Sequence, residues 1–73
     1  MKRYKNKSRI SGVVAYETGT DFIKVKFTGS DDVYKYSYRS TGKPHVESMK
    51  DLAESGRGLS TYISQYVKDR FEK

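Results

Sequence analysis

Apolar and polar residues alternate through the first half of the chain in the manner of half-buried β-strands. Residues 9–16 form a β-branched and aromatic run that stops at the turn-forming residues 17–20. Residues 21–28 then place an apolar row on one face, namely Ile23, Val25 and Phe27. Residues 33–39 place a tyrosine row on one face, namely Tyr34, Tyr36 and Tyr38. The pattern predicts three strands, of which the last two form an antiparallel hairpin.

The second half of the chain changes to the three- and four-residue spacing of helices. Residues 44–55 carry apolar side chains at that spacing, and Gly56 follows where a left-handed residue often ends a helix. Ser60 is placed to cap a second helix. The apolar stripe of that helix consists of Tyr62, Ile63, Tyr66, Val67 and Phe71. The predicted fold is α+β: a three-stranded antiparallel sheet followed by two helices packed on one face.

The register of the second hairpin decides which face of the third strand is buried. If facing positions sum to an odd number, Tyr34 and Tyr36 lie in the core and the outer face carries Lys24, Lys26 and Lys35. If they sum to an even number, the tyrosines stand outward, like the stacking platforms of single-strand RNA binders. Burying Lys35 without a partner is costly, because an unpaired charge loses its hydration. We therefore expect the odd register.

Charge is concentrated near the start of the chain. The net charge is +6, from 15 Lys and Arg against 9 Asp and Glu. Five of the basic residues, with no acid among them, lie in the first nine positions: Lys2, Arg3, Lys5, Lys7 and Arg9. The remainder of the chain is nearly neutral. This distribution predicts a flexible basic arm over residues 1–8, ahead of one folded domain over residues 9–73.

Length and composition exclude several classes of protein. A chain of 73 residues supports one hydrophobic core, and the lack of cysteine excludes disulfides and thiolate metal sites. No segment approaches the length of a membrane span, so we expect a cytoplasmic protein. His45 is the only histidine and is expected at the surface where the first helix begins. We expect no enzymatic activity, no cofactor and no metal, because no catalytic or metal-binding motif occurs.

The segment between the two helices, residues 55–60, has two interpretations. Two glycines flank Arg57 just before a helix N-terminus, an arrangement that can cradle a phosphate. In the simpler interpretation, Gly56 ends the first helix, Gly58 lets the chain turn and Ser60 caps the second helix. If the first interpretation holds, Arg57 is the residue that contacts phosphate.

Short motifs in a fixed order give the chain a resemblance to a known family. They are Ser8-Arg9-Ile10, Val14-Ala15-Tyr16, residues 23–27, Tyr34-Lys35-Tyr36, residues 53–59, and Tyr62-Ile63 with Tyr66-Val67. Together they cover residues 8–71, which resemble the KTSC domain, named for the C-terminal segment of some lysyl-tRNA synthetases. The glycine-rich segment looks more like the stand-alone and phage-borne members. The family usually has a Val-Pro step soon after Tyr-x-Tyr, whereas Pro44 comes later here.

The resemblance implies a small domain of uncharacterised function, with a suggestion of RNA binding and no assigned catalytic residue. Together with the charge, it favours a non-enzymatic nucleic-acid-binding module that contacts phosphates. The candidate contact residues are Lys2, Arg3, Lys5, Lys7, Arg9, Lys24, Lys26, Lys35 and Arg57. The alternative is a protein-interaction or accessory domain, phage or prophage encoded, whose partner docks on a strand edge or around Tyr62 and Tyr66. A homodimer through exposed tyrosines and the sheet edge is a third hypothesis.

Overall fold

A computed structural model describes residues 2–5, 12–29 and 32–72 of the chain. It contains one antiparallel sheet in the order β1 (Lys2–Arg3), β2 (Val13–Thr18), β3 (Phe22–Phe27) and β4 (Val33–Ser37). Two helices follow, α1 (Lys43–Ser55) and α2 (Leu59–Tyr62), and α2 continues directly into a π-helical turn, Ile63–Val67. The α+β class, the antiparallel sheet and the two helices are as predicted. The start of β4 and the end of α1 are as predicted, and the other helix and strand ends that the structure describes differ by one to four residues.

The predicted count of three strands is wrong, because residues assigned to a flexible basic arm join the sheet. Lys2 pairs with Tyr16, and Arg3 pairs with Ala15, which makes β1 an edge strand. The next residue, Tyr4, is only 4% exposed, and its ring packs edge-on against the Tyr16 ring at 6.5 Å. A large aromatic ring gains more from burial than from solvent, and it draws its neighbours into the sheet.

Residues 6–11, which include the end of the predicted basic arm, are not described by the structure. Lys7, Arg9 and the predicted boundary between residues 8 and 9 lie outside the described residues. Residues 12–29 are described, and there β2 extends to Thr18, two residues beyond the predicted end of the first strand. Glu17 and Thr18, which were expected in the turn, are therefore strand residues.

The register between β3 and β4 is the odd one, as expected. Ile23 lies opposite Tyr36, and Lys24 lies opposite Lys35. Tyr36 is 1% exposed, and Tyr34 is half-buried with its ring 5.5 Å from the Phe27 ring. The lysines keep their hydration on the opposite face, which is the physical reason for this register. Tyr34 and Tyr36 are thus structural rather than open to a ligand.

The core lies between the inner face of the sheet and the helices. Its buried apolar residues are Tyr4, Val13, Tyr16, Ile23, Val25, Tyr36, Val46, Met49, Ala53, Leu59, Ile63 and Val67. In α1 the three buried positions are separated by three and four residues, so one face of the helix meets the sheet. Burial of each larger aliphatic side chain contributes about 1.5–3 kcal/mol before the entropy cost of folding. Both helices pack on this one face of the sheet, and neither covers the opposite face.

Helix α1 ends as the sequence predicts. Pro44 lies in its first turn, where a missing N–H is tolerated. Gly56 follows Ser55 with φ of 76°, and its N–H donates to the carbonyl oxygens of Leu52 and Ala53. Only glycine adopts this left-handed conformation without strain, so Gly56 is the C-cap.

Helix α2 differs from its prediction at both ends. Gly58, with φ of 84°, occupies the N-cap position, and Ser60 lies inside the helix instead of capping it. Regular helical structure ends at Val67 rather than at Phe71. Lys68 follows with φ of 35° and ψ of −103°, a conformation that costs a non-glycine residue about 1–3 kcal/mol.

Residues 68–72, here called the closing segment, turn back from α2 to β4. The Glu72 N–H donates to the Lys35 carbonyl oxygen at 2.7 Å, and the Thr41 hydroxyl donates to the Arg70 carbonyl oxygen at 2.7 Å. The Phe71 ring lies 4.7 Å from the Tyr34 ring and 6.0 Å from the Tyr36 ring. These contacts explain why the helix stops early. Phe71 covers the tyrosine row from the side instead of continuing the helical stripe.

Candidate nucleic-acid interface

The open face of the sheet, here called the outer face, gathers four of the predicted basic residues. Strand pairing places Arg3 in line with Ala15, Lys26 and Val33 across the four strands. The neighbouring row runs from Glu17 through Lys24 to Lys35. Adjacent strands lie about 4.8 Å apart, so these side chains form one continuous surface.

The row that contains Lys24 and Lys35 is largely compensated by acidic residues. Glu17 lies directly opposite Lys24, and Glu72 of the closing segment lies 3.9 Å from the Lys35 ammonium group. Like charges placed directly opposite each other destabilise a sheet, and the flanking carboxylates offset that repulsion between the lysines. The two lysines of this row are thus flanked by one carboxylate on each side, Glu17 beside Lys24 and Glu72 beside Lys35. The net charge of the row is therefore small.

The row that contains Arg3 and Lys26 has a different character. The cross-strand neighbours of Lys26 are Ala15 and Val33, both apolar, and Val33 is 45% exposed. Neither Arg3 nor Lys26 forms an ion pair within the part of the chain that the structure describes. Among the described residues, these two cations are thus the charges of the outer face without an acidic partner.

Phe22 is the aromatic residue of the outer face. The Lys24 ammonium group lies 5.5 Å from the centre of its ring, and the Lys35 ammonium group lies 4.8 Å from it. The ring also rests on Gly19, because a Cβ atom at that position would lie 2.1 Å from a ring carbon. Phe22 is therefore half-buried and held by its neighbours, and it orients the two lysines through cation–π contacts.

A shallow depression of about 320 Å³ lies in the middle of the outer face. Its lining residues are Glu17, Lys24, Val33 and Lys35. Two ammonium groups beside an exposed aliphatic side chain can hold a phosphate and the sugar attached to it. Glu17 opposes such an anion, so it limits affinity at this point.

The basic residues outside the outer face divide between the edge of the sheet and the helix layer. Lys2 and Lys5 are exposed along the β1 edge, and Arg57 is exposed in the segment between α1 and α2. Lys5 packs over Gly56: a Cβ atom on that glycine would lie 2.6 Å from the Lys5 Cβ atom. The structure thus brings Lys5 to the segment that contains Arg57, and neither belongs to the outer-face rows.

The backbone of the predicted phosphate cradle is already hydrogen-bonded within the protein. The N–H groups of Gly56 and Arg57 donate to the Leu52 carbonyl oxygen at 3.0 and 3.4 Å. The Leu59 N–H donates to the Tyr4 phenol oxygen at 3.3 Å in a buried position. Three donors of this segment thus stabilise the fold, and the exposed side chain of Arg57 can still reach a phosphate.

An aromatic cluster on the helix layer joins Tyr62 and Tyr66, named above as an alternative docking surface, to His45, whose contact with them was not predicted. The His45 Nδ1 atom and the Tyr62 hydroxyl are hydrogen-bonded at 2.7 Å. The Tyr66 ring lies 4.7 Å from the Tyr62 ring and is stacked on His45 at 6.4 Å. Tyr66 is 55% exposed, so its predicted place in the apolar stripe is wrong. The four-residue spacing of Tyr62 and Tyr66 was the signal for their contact, but it does not indicate His45.

A hydrogen bond between Tyr38, which follows β4, and Glu47 of α1 shifts the pKa of both groups. The Tyr38 hydroxyl donates to Glu47 at 2.5 Å, and the Lys50 ammonium group lies 2.9 Å from the same carboxylate oxygen. The bond from Tyr38, followed by that from Lys50, lowers the pKa of Glu47, and the same bond raises the pKa of Tyr38. Lys50 also donates a hydrogen bond to the Thr20 carbonyl oxygen. Its side chain therefore connects α1 to the turn between β2 and β3.

Metal and membrane sites are not found in the described parts of the chain. Residues 2–5, 12–29 and 32–72 contain no group of three or more His, Cys, Asp or Glu side chains that can hold a metal ion. Over the same residues, no helix combines the length and the apolar character needed to cross a bilayer.

Comparison with known proteins gives no match: no family model matches the chain, and neither a curated protein nor a solved structure is significantly similar to it.

Proposed function

We propose that the chain is a non-enzymatic nucleic-acid-binding module that contacts the phosphates of RNA through its outer face. The observation that carries this proposal is the strand register, which places Arg3, Lys24, Lys26 and Lys35 on the face of the sheet opposite the two helices. Positive charge on an open sheet attracts a phosphate backbone through counterion release. The resemblance to the KTSC domain supports RNA over DNA.

Binding is electrostatic and depends little on base sequence. Reading single-stranded bases requires exposed aromatic rings, but Tyr34 and Tyr36 are turned to the core and Phe22 is half-buried. Arg3 and Lys26 carry most of the affinity, because Glu17 and Glu72 compensate the other two cations. The affinity should consequently fall steeply as salt concentration rises.

Fluorescence anisotropy with a short labelled RNA, and separately with a single-stranded DNA of the same sequence, tests the proposal over a range of salt concentrations. Lys26→Gln should weaken RNA binding severalfold and lower the slope of log affinity against log salt by about 0.7–1. Lys43→Gln is the matched control, because it removes one positive charge from an exposed position on the helix layer. Its effect should be small.

The outcomes separate the residues of the proposed interface. Glu17→Gln should strengthen binding, because it removes the carboxylate opposite Lys24. Arg57→Gln tests whether the segment between the helices also contacts phosphate. Failure to bind RNA at low salt, or an equal loss for Lys26→Gln and Lys43→Gln, would refute the outer face as the interface.

Truncation is a poor test of this interface. Removal of residues 1–7 would delete the basic residues near the start of the chain, but it would also delete β1 and the buried Tyr4. Loss of binding would then reflect loss of the fold. Single Arg3→Gln and Lys5→Gln substitutions remove the charges and leave Tyr4 in place.

A second candidate function is protein binding at the cluster of His45, Tyr62 and Tyr66. The observation in its favour is the exposed Tyr66 ring, fixed by two aromatic neighbours on the side of the protein that faces away from the outer face. Aromatic residues held in place are typical contact points of protein interfaces. A pull-down that survives nuclease, is lost with Tyr66→Ala and is retained with Lys26→Gln would favour this function.

A further inference from the structure

The closing segment does not form the helix that its sequence pattern predicts. Ile63, Val67 and Phe71 follow one another at four-residue spacing, which predicts a helix that continues to Phe71. The structure instead widens the helix into a π-helical turn and reverses the chain at Lys68, where φ is 35°. Such a conflict between local pattern and overall fold indicates that a second conformation lies close in free energy.

The strain at this reversal is concentrated in one residue. A side chain disfavours positive φ, and Lys68 is the one non-glycine residue with positive φ among those the structure describes. Opening of the reversal would relieve the strain at Lys68. It would also remove residues 70–72 from β4.

The surface vacated by such an opening is specific for the closing segment. It offers the Lys35 carbonyl oxygen and ammonium group to Glu72, the Thr41 hydroxyl to Arg70, and a tyrosine surface to Phe71. Thr41 is buried, so loss of Arg70 would leave its hydroxyl without this acceptor. The segment that fits these contacts best is the same segment of another copy.

We propose that two copies of the chain exchange their closing segments, each docking on the β4 edge of the other. The exchange keeps the contacts of Arg70, Phe71 and Glu72 with the surface beside β4. It removes the reversal at Lys68 and, with it, the bond from the Arg70 N–H to the Val67 carbonyl oxygen. Short strained hinges favour this kind of exchange, which yields a closed dimer with twofold symmetry. The partner is therefore a second copy, and the proposal is independent of nucleic-acid binding.

The Lys35–Glu72 ion pair allows a direct test in the unmodified chain. Equal amounts of ¹⁵N-labelled and unlabelled protein are unfolded together, refolded at high concentration and treated with a carbodiimide, which joins amines to neighbouring carboxylates. Mass spectrometry then reads the peptide that links residues 35 and 72. Exchange gives linked peptides with one labelled and one unlabelled half. Isotopically pure links alone would refute the proposal.

A matched pair of variants tests the role of strain. Lys68→Gly accepts positive φ, whereas Lys68→Ala removes the same charge and keeps the strain. Light scattering after refolding should show a severalfold smaller dimer fraction for Lys68→Gly than for Lys68→Ala. Equal fractions, or a monomer for the native chain at all concentrations up to about 1 mM, would overturn the proposal, since mass action favours the dimer as concentration rises.

Discussion

The phenol oxygen of Tyr4 accepts a hydrogen bond from the backbone N–H of Leu59, across 55 positions of sequence. The tyrosine ring is buried against Tyr16, and Leu59 is the first residue of α2 and fully buried. One side chain next to β1 therefore occupies the core and satisfies a donor at the start of a helix, where N–H groups lack partners within the helix. The short N-terminal strand is thereby coupled to the helix layer.

Removal of the Tyr4 hydroxyl should destabilise the protein, although Tyr4 lies near the start of the given sequence. Tyr4→Phe keeps the ring and leaves the Leu59 N–H without its partner, at an expected cost of about 1–2 kcal/mol. Urea denaturation followed by circular dichroism measures the change. Tyr66→Phe is the control, because Tyr66 is largely exposed and should change stability by less than about 0.5 kcal/mol. Equal effects of the two substitutions would argue against the bond.

Substitution of Gly56 should reveal how tightly the N-terminal segment packs on the helix layer. Gly56→Ala introduces strain at φ of 76° and places a methyl group 2.6 Å from the Lys5 Cβ atom. Gly29→Ala is the matched control, since φ there is 78° and no atom lies within 4 Å of the added group. We expect about 1 kcal/mol of destabilisation for Gly29→Ala and at least about 1 kcal/mol more for Gly56→Ala. Thermal denaturation measures both, and similar values would contradict the packing of Lys5.

Stability should fall at high pH because of Tyr36. Burial raises the pKa of this phenol from 10.0 to about 12, so the folded protein holds its proton more tightly than the unfolded chain. The stabilisation is fully present below pH 10 and is lost as the pH rises from 10 to 12. Unfolding free energies of the native chain and of Tyr36→Phe should therefore converge over this range. A constant difference between them would show that Tyr36 ionises normally.

Glu47 should ionise more readily than an ordinary glutamate. Hydrogen bonds from Tyr38 and Lys50 lower the pKa of its carboxyl group below 4.5, so its contribution to stability is lost only as the pH falls below that value. Titration of the side-chain carboxyl by NMR measures the midpoint directly. In Tyr38→Phe the midpoint should rise, because the hydrogen bond that lowers the pKa of Glu47 most is removed. An unchanged midpoint in this variant would assign the shift to Lys50 instead.

The sheet hairpin is the part of the fold that could be predicted most fully from the sequence. The alternation in residues 21–28 and 33–39 defines two faces, and the cost of burying Lys35 selects one register between them. That register also brings Lys24, Lys26 and Lys35 together on the open side. Binding by these residues remains a prediction.

The N-terminal strand could not be predicted, because two basic residues carry no pattern of their own. Lys2 and Arg3 enter the sheet because β2 offers an unpaired edge and Tyr4 offers a ring to the core. The end of α2 was missed for a related reason. Phe71 fits the helical spacing, but contacts with Tyr34 and Tyr36, distant in sequence, outweigh it. Helical propensity is a weak guide where tertiary contacts compete.

The bond between Tyr4 and Leu59 also constrains when this fold can be completed in a cell. A chain emerging from the ribosome exposes Tyr4 well before Leu59 and the other later residues that enclose it. At about 5–20 residues per second, several seconds of synthesis separate the two partners. The hairpin of β3 and β4 can form during that interval, whereas β1 and its aromatic anchor must wait until α2 has left the exit tunnel.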